Sequence, residues 1–180
     1  MDFLRIWPIN ILYNSMHSNI GAVAVFRTNN IYGDVIVKNY RDGIKLKAEF
    51  SVLPPGKHGF HIHKAGDLRG EGCQGLCEHY DISNNSHGGA PEHGGERHTG
   101  DLGNIELKNG KFDREYYIKD VSVEDLWGRS IIVHQDEDDL GKGSFNDSKI
   151  TGHSGARIGC AIFGRTICPP KYNKTRKNNK

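Results

Sequence analysis

The segment from Gly59 to Asp101 constrains this chain more than any other stretch. It opens on Gly-Phe-His-Ile-His (59–63), runs through a long glycine-rich region holding His79, His87 and His98, and closes on Asp101. Glycine-rich backbone is entropically costly to order and brings few side chains to bury. A loop this long inside a compact domain is functional or disordered. Nitrogen and oxygen ligands could order it by binding metal, since the binding free energy then becomes folding free energy.

The flanking sequence reads as short strands. Ile20–Arg27, Ile31–Tyr40 and Ile44–Val52 come first, and the third alternates strictly, placing Ile44, Leu46, Ala48, Phe50 and Val52 on one face. Asn29-Asn30 and Asp42-Gly43 suit the hairpin turns between them. Leu53-Pro54-Pro55-Gly56 stops the third strand, because proline cannot donate to a ladder. Lys57–His63 is a fourth. Beyond the loop come Leu102–Lys108, the turn Asn109-Gly110, Lys111–Ile118, Ser130–Gln135 and Arg157–Arg165, with a charged loop over 136–156. No amphipathic helix is legible. Regularly spaced short strands predict an all-β sandwich or barrel of antiparallel strands.

At 180 residues the chain is long enough to bury a real core in one domain. The body is expected over 20–165, with an extension over 1–19 and a basic tail over 166–180. Net charge is +2, but the tail alone holds Lys171, Lys174, Arg176, Lys177 and Lys180 and no acid, leaving 19 basic against 22 acidic residues elsewhere. The body is thus mildly acidic, and the tail reads as a solvated end rather than a nucleic-acid arm. No run reaches the roughly 18 apolar residues of a membrane span. The first residues, with Asp2 ahead of Arg5 and Pro8 within the apolar run, lack a signal-peptide pattern. A cytoplasmic location is expected; richness in asparagine, isoleucine and lysine fits an AT-rich genome, and for a virus-encoded chain the host cytoplasm or the virion.

Residues two apart on a strand share a face. His61 and His63 therefore stand side by side, and His58 has the opposite parity. His79, His87, His98 and Asp101 supply three nitrogens and one carboxylate, the count of a closed tetrahedral zinc site. His134, at the end of a distant strand, can return to the His61/His63 face. A nitrogen-only set suits copper(II). Two complete sets arise if His79 belongs to both. His17, His58, His93 and His153 are read as structural or surface residues.

Gly-Phe-His-Ile-His (59–63), His-Gly-Gly (87–89), Arg-His-Thr-Gly-Asp-Leu-Gly-Asn (97–104), Val-His-Gln-Asp-Glu-Asp-Asp-Leu-Gly-Lys-Gly (133–143) and Gly-Ala-Arg-Ile-Gly-Cys (155–160) resemble the copper/zinc superoxide dismutases. The resemblance implies an eight-stranded Greek-key barrel holding one copper and one zinc per subunit. It assigns copper to His61, His63, His79 and His134, and zinc to His79, His87, His98 and Asp101. It makes Asp138 the carboxylate behind ligands of both metals, Arg157 the anion-guiding arginine, and Cys73–Cys160 a disulfide, leaving Cys77 and Cys168 as thiols. Superoxide is the implied substrate, a homodimer the implied assembly and a copper chaperone an implied partner; no nucleic acid or membrane partner is expected. A non-enzymatic copper/zinc-binding or chaperone-like domain is the competing reading. The chain departs from the family pattern in three places: two extra residues that add His93, Lys149 one position early with Ile150 in the lysine's place, and Arg165 at the end that helps form the family's dimer.

Overall fold

The computed structural model describes residues 21–69 and 71–166. The extension and tail expected at either end lie outside these residues, as do His17 and Cys168. Nine strands form two antiparallel sheets: β1 (Gly21–Arg27), β2 (Tyr32–Tyr40), β3 (Gly43–Val52), β4 (His58–His63), β5 (Asp101–Ile105), β6 (Phe112–Lys119), β7 (Ser130–His134), β8 (Arg157–Ile162) and β9 (Gly164–Thr166). One sheet has the order β6-β3-β2-β1-β9, the other β5-β4-β7-β8. The meander β1-β2-β3 is joined at β3 by β6, which returns after the excursion through β4 and β5. That is a Greek-key return. Among the described residues helix is confined to single turns, including α1 (Val123–Leu126) and α2 (Ser148–Thr151).

The alternation read in β3 is real over most of its length. Ile44, Leu46, Ala48 and Phe50 are buried against Ala22, Ala24, Val35 and Val37 of the same sheet and Phe60, Ile62, Ile131 and Val133 of the other. Each large side chain so buried contributes about 1.5–3 kcal/mol. Val52 departs from the expected face and is exposed. It pairs with Tyr32 across a register shift, so its side chain has left the core face.

Two expectations about strand ends change in detail. The run expected as one strand over 157–165 is broken at Phe163: β8 stays with β7, and β9 crosses to pair with β1. Phe163 plugs the core at the crossing while its N–H donates to the Arg129 carbonyl at 2.9 Å. Eight strands by pattern thus become nine. The β2–β3 turn falls on Arg41-Asp42, since Tyr40 pairs with Gly43. Gly43 is needed for another reason, because a Cβ there would collide with the Ile118 carbonyl of β6. Asn109-Gly110 turns as read, with φ of 54° and 77°.

Candidate metal centre

β4 carries His61 and His63 on the face opposite Phe60 and Ile62, so packing the latter pair into the core presents the former to the long loop. That loop is anchored to β4 by backbone: the Tyr80 N–H donates to Ile62 O at 2.8 Å and Gly100 N–H to Tyr80 O at 2.7 Å. These bonds carry His79 over the two β4 histidines, with ring centroids 4.2 Å from His61 and 4.9 Å from His63. β7 pairs with the other edge of β4 and delivers His134, whose Nε2 is 3.4 Å from His63 Nε2.

Each ring shows which nitrogen is left for a ligand. His63 Nδ1 donates to the Cys77 carbonyl at 2.9 Å, leaving Nε2. His61 Nε2 meets Asp138 Oδ2 at 2.9 Å, leaving a buried Nδ1 with no partner. His79 Nδ1 meets Asp101 Oδ1 at 2.8 Å, and its buried Nε2 has no partner. Ligand-capable atoms of His61, His63, His79 and His134 all lie within 4.8 Å of one another.

The second cluster gathers on Asp101 at the start of β5. Its Oδ1 lies 2.8 Å from His79 Nδ1, 3.0 Å from His87 Nδ1 and 3.4 Å from His98 Nδ1. His79 and His98 Nδ1 are 3.4 Å apart. A tetrahedral zinc with ligands at 2.0–2.1 Å has edges of about 3.3 Å, close to this spacing. Another grouping within 4.8 Å takes His61 in place of His98. Asp101 Oδ1 has nitrogens of His79, His87 and His98 within 3.4 Å, however, so these four residues make the tighter set around that carboxylate. His79 therefore turns one nitrogen toward each cluster.

Asp138 ties the two together, holding His61 through Oδ2 and His87 Nε2 through Oδ1, both at 2.9 Å. Asn104 fixes it from behind: its amide donates to Asp138 O at 2.8 Å and its Oδ1 accepts from Asp138 N–H at 2.7 Å. Asn104 closes the 97–104 motif in sequence, but only the fold brings it behind Asp138. Gly152 lies against the same network, with φ 68° and no room for a Cβ beside Asp138 and His87.

Burial, the largest influence, pushes His79 down to about 3, with His61 adding repulsion. Burial likewise takes His134 down to about 2 and His63 well below its ordinary value. Such rings stay neutral with a lone pair available, the form a metal needs. His87 behaves oppositely. Burial opposes its charge, but Asp101 and Asp138 outweigh that and raise it to about 9. Both carboxyls are held well below their usual range: burial would raise them, and the surrounding histidines prevail. Buried polar atoms without partners cost about 1–3 kcal/mol each. His61 Nδ1, His79 Nε2 and His87 Nδ1 all lack hydrogen-bond partners, His87 Nδ1 being near Asp101 but misaligned. A cation in each cluster satisfies them, so the donor sets fit copper and zinc.

Arg157, on β8, reaches the carbonyls of Cys73 (2.8 Å), Gln74 (3.3 Å) and Cys77 (2.6 Å). Cys73 and Cys160 are joined by a disulfide with Cα atoms 6.1 Å apart, fastening this loop to β8. Cys77 is an exposed thiol. A cleft of about 310 Å³ opens beside His63, His79, His134 and Arg157. His58 is buried and structural, bonded to the carbonyls of His134, Gln135 and Pro54. His93 sits on an exposed turn whose Glu92 pairs with Arg114, and His87 and His98 on either side of that turn both reach Asp101.

The fold is a Greek-key β protein in which two neighbouring groups of histidine and carboxylate donors, meeting at His79, could each hold a metal ion. The family model described as copper/zinc superoxide dismutase matches residues 31–163. The chain is 40% identical over 150 residues to "Superoxide dismutase [Cu-Zn]" of Paramecium bursaria Chlorella virus 1, covering 81% of this chain and 78% of that one. It is 40% identical over 153 residues to "Superoxide dismutase [Cu-Zn] 3" of Arabidopsis thaliana, covering 81% and 91%. A crystal structure of the clock protein EA4 superposes with a TM-score of 0.71 at 32% identity, covering 83% of this chain and 95% of that one. The chain belongs to the copper/zinc superoxide dismutase family. Among the described residues no helix is long and apolar enough to cross a membrane. Relatives include an extracellular enzyme of Haemonchus contortus, 44% identical over 127 residues, 67% of each chain.

Proposed function

We propose that this chain is a superoxide dismutase, turning two superoxide anions and two protons into dioxygen and hydrogen peroxide. His61, His63, His79 and His134 would hold one copper ion, and His79, His87, His98 and Asp101 one zinc ion. Copper, when bound, supplies the reversible one-electron chemistry; zinc supplies a fixed charge and an anchor. The observation carrying this reading is His79, buried, with Nδ1 in one cluster and Nε2 unpartnered toward the other.

The chain's own residues then have distinct tasks. His79 Nε2 can hold a proton beside the cleft while Nδ1 keeps the ring in place. Asp138 fixes the tautomers of His61 and His87, a role outer carboxylates play for metal-bound imidazoles. Arg157 offers a guanidinium at the cleft, held in orientation by three carbonyls. At about 5 Å and an effective dielectric near 20 it attracts a monoanion by roughly 3 kcal/mol, enough to favour an anion without trapping it.

The domain doing this spans 20–165 in our reading. A homodimer, copper delivery by a chaperone and a cytoplasmic location belong to the same proposal, to be checked by light scattering, co-purification and fractionation. The decisive experiment measures metal content and superoxide consumption on one purified sample. Protein loaded with both metals that fails to dismutate superoxide would leave the non-enzymatic metal-binding alternative standing.

A further inference from the structure

Three cysteines meet around the helical turn Gln74–Leu76. Cys73 precedes the turn and is bonded to Cys160 of β8, while Cys77 follows it as an exposed thiol. Access separates the bonded sulfurs from the free one. Cys73 is 8% exposed and clusters with the fully buried Leu76 and Ile132, and Cys160 packs partly buried against that cluster. Apolar packing thus brings Cys73 and Cys160 together and shields both, and leaves Cys77 in solvent. The Cys77 carbonyl accepts from His63 Nδ1 and Arg157, but its side chain serves neither group of metal donors. Its Sγ has only the Gly75 carbonyl nearby, at 3.9 Å. Cys77 also stands at φ 60° and ψ −155°, a conformation that suits glycine; other residues held there cluster at working sites.

We infer that Cys77 is the entry thiol through which a small disulfide, of the oxidised glutathione type, makes the Cys73–Cys160 bond. Three exchanges carry it. Cys77 attacks the small disulfide, forming a mixed disulfide and releasing one small thiol. Cys73 then attacks the Cys77 sulfur, forming Cys73–Cys77 and releasing the second small thiol. Cys160 finally attacks Cys73, which leaves the bond of the folded structure and returns Cys77 as the thiol. Each attacking thiol yields its proton to the departing sulfur, and two electrons pass from Cys73 and Cys160 to the small disulfide. The rate of the first exchange follows access to the attacking sulfur, which favours Cys77. For the second, Cys73 and Cys77 are four residues apart, against 87 for the final pair. In a flexible chain that difference favours the short closure about a hundredfold. The turn has to open for this step, and it is free to do so until the bond to β8 pins it.

The test follows reduced full-length protein as it is oxidised by oxidised glutathione, without oxygen and with a chelator, so that glutathione is the only oxidant. Every sample carries Cys168→Ser, which keeps that thiol out of the exchange. Acid-quenched samples are alkylated and their linkages read by mass spectrometry. Cys77→Ser and Cys77→Gly are expected to slow the closing of Cys73–Cys160 at least about fivefold, because entry then falls to sulfurs shielded by packing. Glycine suits φ 60°, so the second variant keeps the test valid if serine disturbs the loop. Two further variants trap the intermediates whatever the effect of changing Cys77. Cys73→Ser should accumulate one glutathione on Cys77, and Cys160→Ser should accumulate the Cys73–Cys77 disulfide. Cys77→Gly that closes the bond at the parent's rate overturns the inference. So does a first adduct on Cys73 or Cys160, or Cys160→Ser that keeps glutathione on Cys77 without forming Cys73–Cys77. None of these outcomes depends on the superoxide reading.

Discussion

Replacing Cys160 by serine removes the bond between the long loop and β8 and leaves Cys73 without its partner. The half-cystines are 87 residues apart. Loop-closure entropy for that span is about 15 cal/mol/K, or about 4.6 kcal/mol at 25 °C. For a chain of this size each kcal/mol moves the melting temperature by about 2–4 °C, which gives a drop of about 9–18 °C. Calorimetry on metal-free protein is the right assay, because bound metal adds its own linkage to the folded state. Oxidised parent, reduced parent and Cys160→Ser are compared, and the last two should melt together. Activity should also fall in metal-loaded Cys160→Ser, since the carbonyls of Cys73, Gln74 and Cys77 orient Arg157. A shift below about 3 °C in the metal-free protein would refute the cross-link argument.

His79→Ala should lower the content of both metals and abolish most activity, while His93→Ala, on the exposed turn, should change neither; elemental analysis separates the two outcomes. Asp138→Asn is expected to weaken metal affinity about 10–100-fold in competition with a chelator, as losing an outer carboxylate does. Arg157→Ala should keep both metals yet lower the second-order rate with superoxide, and an unchanged rate at low salt would reassign anion guidance. In metal-free protein His87 is raised to about 9, so its stabilising charge is fully present below about 6.5 and lost as pH rises through 9. His79 and His134, lowered to about 3 and 2, act in the opposite sense, contributing stability above about 6.5 that is lost as pH falls. The His87 proton competes with metal, so zinc affinity should climb about tenfold per pH unit between 7 and 9 from this group, read with a metal-competing dye.

Much of this molecule was legible before any coordinates. Period-2 alternation needs only neighbouring residues, so Ile44, Leu46, Ala48 and Phe50 announced their core face and β4 its pair of histidines. The candidate donors were legible from residue chemistry and from resemblance; in the fold His61, His63, His79 and His134 lie together, and Asp101 lies beside His79, His87 and His98. What the linear pattern could not hold was the orientation of each ring. Which nitrogen of His61 or His63 is free depends on Asp138 and the Cys77 carbonyl, partners distant in sequence and brought close by loops. The break at Phe163 is likewise tertiary, because a strand continues or changes sheets according to which edge is open, and β1 offered one. The charge of the cleft was decided last, when backbone geometry placed Glu78, Asp147 and Ile150 at the opening and turned Lys149 toward Gly141. Local pattern sets which side chains exist and which face they share; only long-range packing sets the distances on which coordination and electrostatics depend.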